Sequence, residues 1–540
     1  MTPVDLIVIE ADIRTLDAFH PRAEAMAVAG GRVVALGSDA EIRALAGRGT
    51  RVVAAGGRLV LPGFQDPHIH LQDSGQDYSQ NADLTSARTV DELVALLSAF
   101  AATHGRPWVN GAGWSSSAFG AGNLDRHVLD RAVSDRPSLI VASDGHNGCL
   151  NSRAIEMLGL DDDTPDPPNG HFVRDGAGRA TGLLYETAVM WAERRMPQPS
   201  DDHFMAGGLW ADGLALRHGI TGVLDAKVEE RHVRVYRRLA ADARLSLRVA
   251  ATALVTPEDS VEGAVARLEG FRTGSTGNFR VHSAKFFFDG VFENRTAAML
   301  APYSDLAGGN APVMFEAEHI AALFTALDAA RFQIHVHAIG DAATRAALDG
   351  IERAQAVNGV WPAWHQIAHL QAVDPADIPR FARLGAMGNI QPLWARAEEA
   401  VTEMTLPLLG ADRSRWVYPF RSLLDAGARL ALSSDWGVST LNPFPIIATA
   451  LTRRPQRSEA DVPTFLPEQR IGLDVAVAGY TLNAALAAWR PETGSLGPGQ
   501  AADFIVLDRD IFAVPEDEIA ETQVLLTAVG GQTVHEAGLA

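Results

Sequence analysis

Residues 59–70 read LVLPGFQDPHIH, an apolar run that meets a Pro-Gly pair and ends in two histidines at i and i+2. In a β-strand that spacing sends both side chains to one face. Two imidazoles converging from one strand end, His68 and His70, form a ready pair of metal ligands. Spacing of this kind also arises by chance, so the reading depends on what the rest of the chain supplies.

Downstream of residue 200 the chain alternates short apolar stretches with amphipathic segments of helix length, the pattern of an α/β parallel sheet. Eight strands are expected: Leu59–His70, Ile220–Ala226, Leu245–Leu254, Arg280–Asp289, Gln333–Ala338, Gln366–Leu370, Ala386–Pro392 and Arg429–Asp435. Eight parallel strands separated by helices predict a (β/α)8 TIM-type barrel. About 150 residues separate the first two strands, far more than one crossover needs. An inserted subdomain is therefore expected over about 72–205. Residues 4–60 and the stretches 503–508 and 522–535 are strand-like and punctuated by glycine pairs. The division expected is a split β-sandwich domain, 1–60 with 486–540, around a barrel at 61–485.

Composition narrows the function. The 540 residues carry 46 basic and 66 acidic side chains, a net charge of −20. A general nucleic-acid binder needs a basic footprint that this chain lacks. Its single cysteine, Cys149, excludes an intrachain disulfide and a thiolate metal cluster, and fits a reducing compartment. The N-terminus shows no basic segment followed by an apolar one, and no run of about 18 apolar residues occurs. A cytoplasmic protein that engages neither nucleic acid nor membrane is expected, acting on a small molecule.

Polar residues recur at the expected strand ends, where barrel active sites are built. Strand one ends in His68 and His70, strand four carries Lys285, strand five His335 and His337, strand six His365 and His369, and strand eight Asp435. Singly, each has a plain structural reading. Lys285 can snorkel or pair, Asp435 can cap a helix, and a lone histidine more often makes a structural hydrogen bond. Together, an ordered series of polar strand ends is hard to attribute to independent accidents. Asp66 and Asp341, beside these positions, read as supporting or capping groups.

The stretches PGFQDPHIH, KFFFDG with NRTAAML, HAIGDAA, AHLQ and SSDW resemble the amidohydrolase superfamily. The branch most resembled is amidohydrolase 3, the YtcJ-like and N-substituted formamide deformylase-like proteins. The likeness covers nearly the whole chain, GSLGPGQAADFIVLD (494–508) included. It implies a metal site of His68, His70, Lys285, His337, His369 and Asp435. His337 is preferred to His335 because the family aligns the histidine directly before Ala-Ile-Gly-Asp, although spacing puts both on one face. It implies one or two divalent ions, Zn²⁺ foremost, with Lys285 carboxylated in several members, the 72–205 insertion as a lid over the site, and a homodimer.

The activity implied is hydrolysis of a C–N amide-type bond in a small organic substrate by metal-activated hydroxide. Asp435 acts as general base, beside Lys285 and His146 as catalytic residues. Substrate contacts are expected from Trp114, His146, Phe288, Arg295 and Trp394. Ordinary packing is the competing reading for Phe288, Arg295 and Trp394, and a plain loop position for His146. Three alternatives stay open: an ester, lactone or carbamate hydrolase using the same site, an inactive barrel serving as a binding protein, and a cyclic-amidine deaminase.

Overall fold

The computed structural model describes residues 4–105, 107–115, 123–143, 145–197, 199–305, 309–456 and 462–539. Its centre is an eight-stranded parallel sheet. In chain order the strands are Phe64–Ile69, Ile220–Val228, Arg248–Leu254, Phe279–Phe287, Gln333–Ala338, Gln366–His369, Met387–Ile390 and Arg429–Leu432. They are called strands one to eight below. Each pairs with its sequence neighbour in that order. Strands one and eight are joined past their ends, where Asp435 N donates to His68 O at 2.9 Å and His70 N to Trp436 O at 2.7 Å. The result is the nearly closed parallel barrel expected from the alternation, and these two bonds lie at His68, His70 and Asp435.

The opening run 59–70 belongs to two sheets. Arg51–Pro62 is one strand, and Phe64–Ile69 begins the barrel. Gly63 makes the break possible, because a Cβ there would stand 2.3 Å from the Thr221 side chain. The first of these strands pairs with Leu6–Arg14 on one side and with Phe504–Leu507 on the other. Both chain ends thus join one eight-stranded sheet.

Between strands one and two the insertion forms its own six-stranded sheet. Its strands are Gly170–Arg174, Ala180–Glu186, Asn147–Leu150, Leu139–Ala142, Gly111–Trp114 and Ala82–Asp83. The helices Val90–Thr103, Arg126–Ala132 and Ser152–Leu158 accompany it, each with a polar N-cap side chain: Thr89, Asp125 and Asn151. Such caps satisfy N–H groups that a first helical turn leaves open. The insertion has a core of its own, with Leu93, Leu97, Trp114 and Ile140 fully buried. Among the described residues no helix is long and apolar enough to cross a membrane.

Candidate metal centre

The polar strand ends meet at the C-terminal mouth of the barrel. His70 Nε2 stands 3.2 Å and His68 Nε2 3.5 Å from Asp435 Oδ1. Ligand atoms of these three residues lie within 4.8 Å of one another. On the other side the His337 and His369 rings are 4.4 Å apart, and the Lys285 amine reaches to 3.3 Å from His68 Nε2. Asp435 Oδ1 and His369 Nε2 are buried and make no hydrogen bond. Leaving such atoms unpaired costs about 1–3 kcal/mol each, and more when charged. Imidazole and carboxylate atoms that converge without bonding one another fit a divalent cation.

Burial sets the charge state of the site. It holds the imidazoles of His68, His337 and His369 well below their ordinary values, so they stand neutral with a lone pair to offer. It also brings the Lys285 amine down to about 7, against some pull from Asp435. Backbone strain gathers here too: His369 (φ 78°), Asp435 (φ 52°) and Glu186 (φ 54°) occupy positive φ without being glycine. Such positions cost about 1–3 kcal/mol each and persist where the surroundings over-determine them.

Several neighbours hold the ligands. His335 Nε2 lies 2.8 Å from His68 Nδ1. With His68 offering Nε2 to a cation, its Nδ1–H donates to His335, which makes His335 a support for His68 one layer deeper in the barrel. Asp66 accepts from His68 N and Ser434 N, both at 3.2 Å, tying strand one to strand eight. Asp289 accepts from Ile339 N, Gly340 N and Ala298 N at 3.0, 2.8 and 2.9 Å, beneath His337. That clamp brings Gly340 so close that a Cβ would meet Ala298 O at 1.9 Å. Asp341 accepts from Leu300 N at 2.7 Å, a supporting role as its position suggests.

The expected substrate contacts divide. Trp394 stacks on His369 with ring centroids 5.4 Å apart and stays partly accessible. His146 reaches the site from the insertion, its ring 5.7 Å from that of His337. Its Nδ1 is 2.6 Å from Glu186 Oε2, and Glu186 Oε1 accepts from Thr296 Oγ1 at 2.7 Å and Asn294 Nδ2 at 3.1 Å. Glu186 thereby joins the insertion to the loop after strand four.

Three contacts need correction. Trp114 is fully buried and packs in the core of the insertion. Arg295 is committed to Asp305, with Nε at 2.9 Å, and its side chain is half exposed. Phe288 faces the helix layer, packed against Phe286, Phe315 and Phe324. Strand alternation is the reason. Lys285 points inward, so Phe287 does too, and it lies 4.6 Å under the Lys285 amine. Phe287, and not the expected Phe288, is the phenylalanine of this strand end that faces the barrel interior.

The two phenylalanines should therefore separate in a stability assay. Phe288→Ala is expected to cost about 3–5 kcal/mol, as large core truncations do, while Phe287→Ala, partly accessible, costs clearly less. Chemical denaturation of the two variants measures this, and equal losses would place both side chains in the core.

The profile of the Amidohydrolase family matches residues 51–535. The chain belongs to this family. Among curated relatives, this amidohydrolase-family chain is 28% identical over 528 residues to the putative amidohydrolase YtcJ of Bacillus subtilis, covering 95% of this chain and 96% of that one. It is 27% identical over 555 residues to the N-substituted formamide deformylase of Arthrobacter pascens, covering 98% of each. Among solved structures it resembles an uncharacterized metal-dependent hydrolase from Pyrococcus horikoshii OT3, with a TM-score of 0.76 and 24% identity over 95% of this chain and 99% of the other. The branch expected from the motifs, YtcJ-like and deformylase-like, is thus represented among the relatives.

Proposed function

We propose that this chain is a metal-dependent hydrolase that cleaves a C–N amide-type bond in a small organic molecule. The observation that carries the proposal is the convergence of His68 Nε2, His70 Nε2 and Asp435 on one point, with Asp435 Oδ1 and His369 Nε2 buried and unpaired. His68, His70 and Asp435 would hold one divalent ion, Zn²⁺ by the donor set. His337, His369 and Lys285 would serve a second. A bound ion of this type polarises a carbonyl and makes a coordinated water acidic near neutral pH.

The chain's own residues do the rest. Asp435, at the mouth of strand eight, takes the proton of the attacking water and passes it to the leaving nitrogen. Water adds to the carbonyl carbon, the C–N bond breaks, and a carboxylate and an amine leave. His146, held by Glu186 and with its ring 5.7 Å from that of His337, would donate to the carbonyl oxygen as charge develops there. Phe287 and Trp394 give the reacting group an apolar surround. A Lys285 amine brought down to about 7 is in part neutral at neutral pH, the form that would take up carbon dioxide as a carbamate and offer its oxygens to a cation. The insertion, which contributes His146, serves as the lid.

The same arrangement also suits an ester, lactone or carbamate, since the attack on the carbonyl is common to all. A panel of matched N-acyl and O-acyl aryl substrates decides between them. Turnover of the N-acyl member of a pair, including N-formyl amines, is expected. Turnover confined to O-acyl members would replace the amide reading with the ester one.

A further inference from the structure

A ladder of amide side chains crosses the barrel interior from its floor to His369, and its direction is set by backbone carbonyls. At the floor, Gln333 Nε2 faces Trp364 O and Ala487 O at 2.9 Å and Ala363 O at 3.2 Å. Carbonyl oxygens only accept, so the Gln333 NH2 must point at them. Its Oε1 then accepts from Gln366 Nε2 at 2.9 Å. Gln366 Oε1 in turn accepts from Asn389 Nδ2 at 2.8 Å, and that same amide donates to Pro67 O at 3.1 Å, a second carbonyl anchor. Asn389 Oδ1 is left to accept from Ser433 Oγ at 2.6 Å and Gln391 Nε2 at 3.1 Å. Gln391 Nε2 gives its other hydrogen to Ser433 Oγ at 2.7 Å.

The orientation of each amide in this ladder is therefore set, and Gln391 Oε1 is left facing His369 Nδ1 at 3.0 Å. An amide oxygen only accepts, so Nδ1 must carry the imidazole proton. Asp435 Oδ2, 3.8 Å from the same nitrogen, lies beyond hydrogen-bond reach. The lone pair of the neutral ring is then on Nε2, the buried atom without a partner.

We propose that Gln391 is a positioning residue: with Asn389, Ser433, Gln366 and Gln333 behind it, it locks His369 in the Nδ1–H tautomer and presents the Nε2 lone pair to the metal centre. Histidine ligands are commonly oriented by a carboxylate or a backbone carbonyl at the other ring nitrogen. Here a neutral amide does the same without adding charge to a buried site. The tautomer follows from the ladder alone, while its consequence for a cation rests on the proposed function.

The test uses the full-length chain with ¹⁵N-labelled histidine. Correlation spectra of the chelator-treated protein, with the His369 signal assigned by its loss in His369→Gln, are expected to show Nδ1 protonated and Nε2 bare. A protonated Nε2 in the wild-type protein, which needs no variant to fold, overturns the proposal. Zn²⁺ titration against a chromophoric chelator gives the second readout. Gln391→Leu is expected to mix the tautomers and weaken Zn²⁺ binding about 10–100-fold, the usual cost of losing such a partner. Gln391→Glu, which keeps an acceptor facing Nδ1 but loses the donor to Asn389 Oδ1, is expected to retain the Nδ1–H form. An unchanged tautomer and affinity in Gln391→Leu also overturns it. A wild-type chain with the Nδ1–H form that takes up no Zn²⁺ keeps the ladder and removes the hydrolase reading instead.

Discussion

Replacing Asp435 by asparagine is expected to lower turnover about 10²–10⁴-fold, the range that a positioned acid–base group contributes, while the protein keeps its metal. An asparagine oxygen can still face the cation, and the four histidines and Lys285 are untouched. On the proposed mechanism, what is lost is the carboxylate that would accept a proton from water and return it to the leaving group. The side chain is well placed for that duty. It is almost fully buried, yet its Oδ1 makes no hydrogen bond, and strained backbone at φ 52° holds it at the mouth of strand eight. The measurement is kcat and metal content on the best substrate of the N-acyl and O-acyl panel. Full activity in Asp435→Asn would remove the general base from the mechanism.

The double replacement His68→Ala and His70→Ala is expected to cost more than about a hundredfold in Zn²⁺ affinity, because it removes two ligands where loss of one outer partner already costs 10–100-fold. The effect should also appear as stability. A cation that binds only the folded chain stabilises it by about 4 kcal/mol at a thousand times its Kd. Zn²⁺ should therefore raise the melting temperature of the chelated wild-type protein and leave that of the double variant unmoved. His68 is buried against His335 and Lys285, so the variant also starts from lower stability. The comparison with and without Zn²⁺ within each protein separates that loss from the loss of the ion. A rise of equal size in both proteins would place the cation elsewhere.

These expectations rest on a site whose main lines are legible in the sequence. All eight expected barrel strands are present. Strand five, Gln333–Ala338, has the expected bounds. The candidate series is legible because each of its members lies within a short apolar strand or one to three residues past its end, and parallel strands bring those ends to one mouth. The stretch 59–70 is more complicated than a single strand, since Pro62 and Gly63 hand the chain from one sheet to another. The motif histidines stand where the second of those strands ends.

What the sequence hid is of two kinds. One is parity. Lys285 inward implies Phe287 inward and Phe288 outward, an inference open to period-2 reasoning alone. The other is contact between distant residues. Glu186 supports His146 from 40 positions away, and Gln391 supports His369 from 22. Neither pairing has a local signature: one arises where two insertion strands lie side by side, the other where neighbouring barrel strands face a shared interior. Arg295 shows the converse. A cation beside a predicted pocket looks available until Asp305, ten residues on, claims it.

The most direct test of the account is elemental analysis of the purified, folded chain by plasma mass spectrometry, before and after supply of Zn²⁺. The predicted result is about one to two divalent ions per chain, the occupancy that a site of four histidines, Lys285 and Asp435 accommodates, with most of it lost in the His68 and His70 double variant. A stable, folded chain that holds no divalent ion even when Zn²⁺ is supplied would contradict the account.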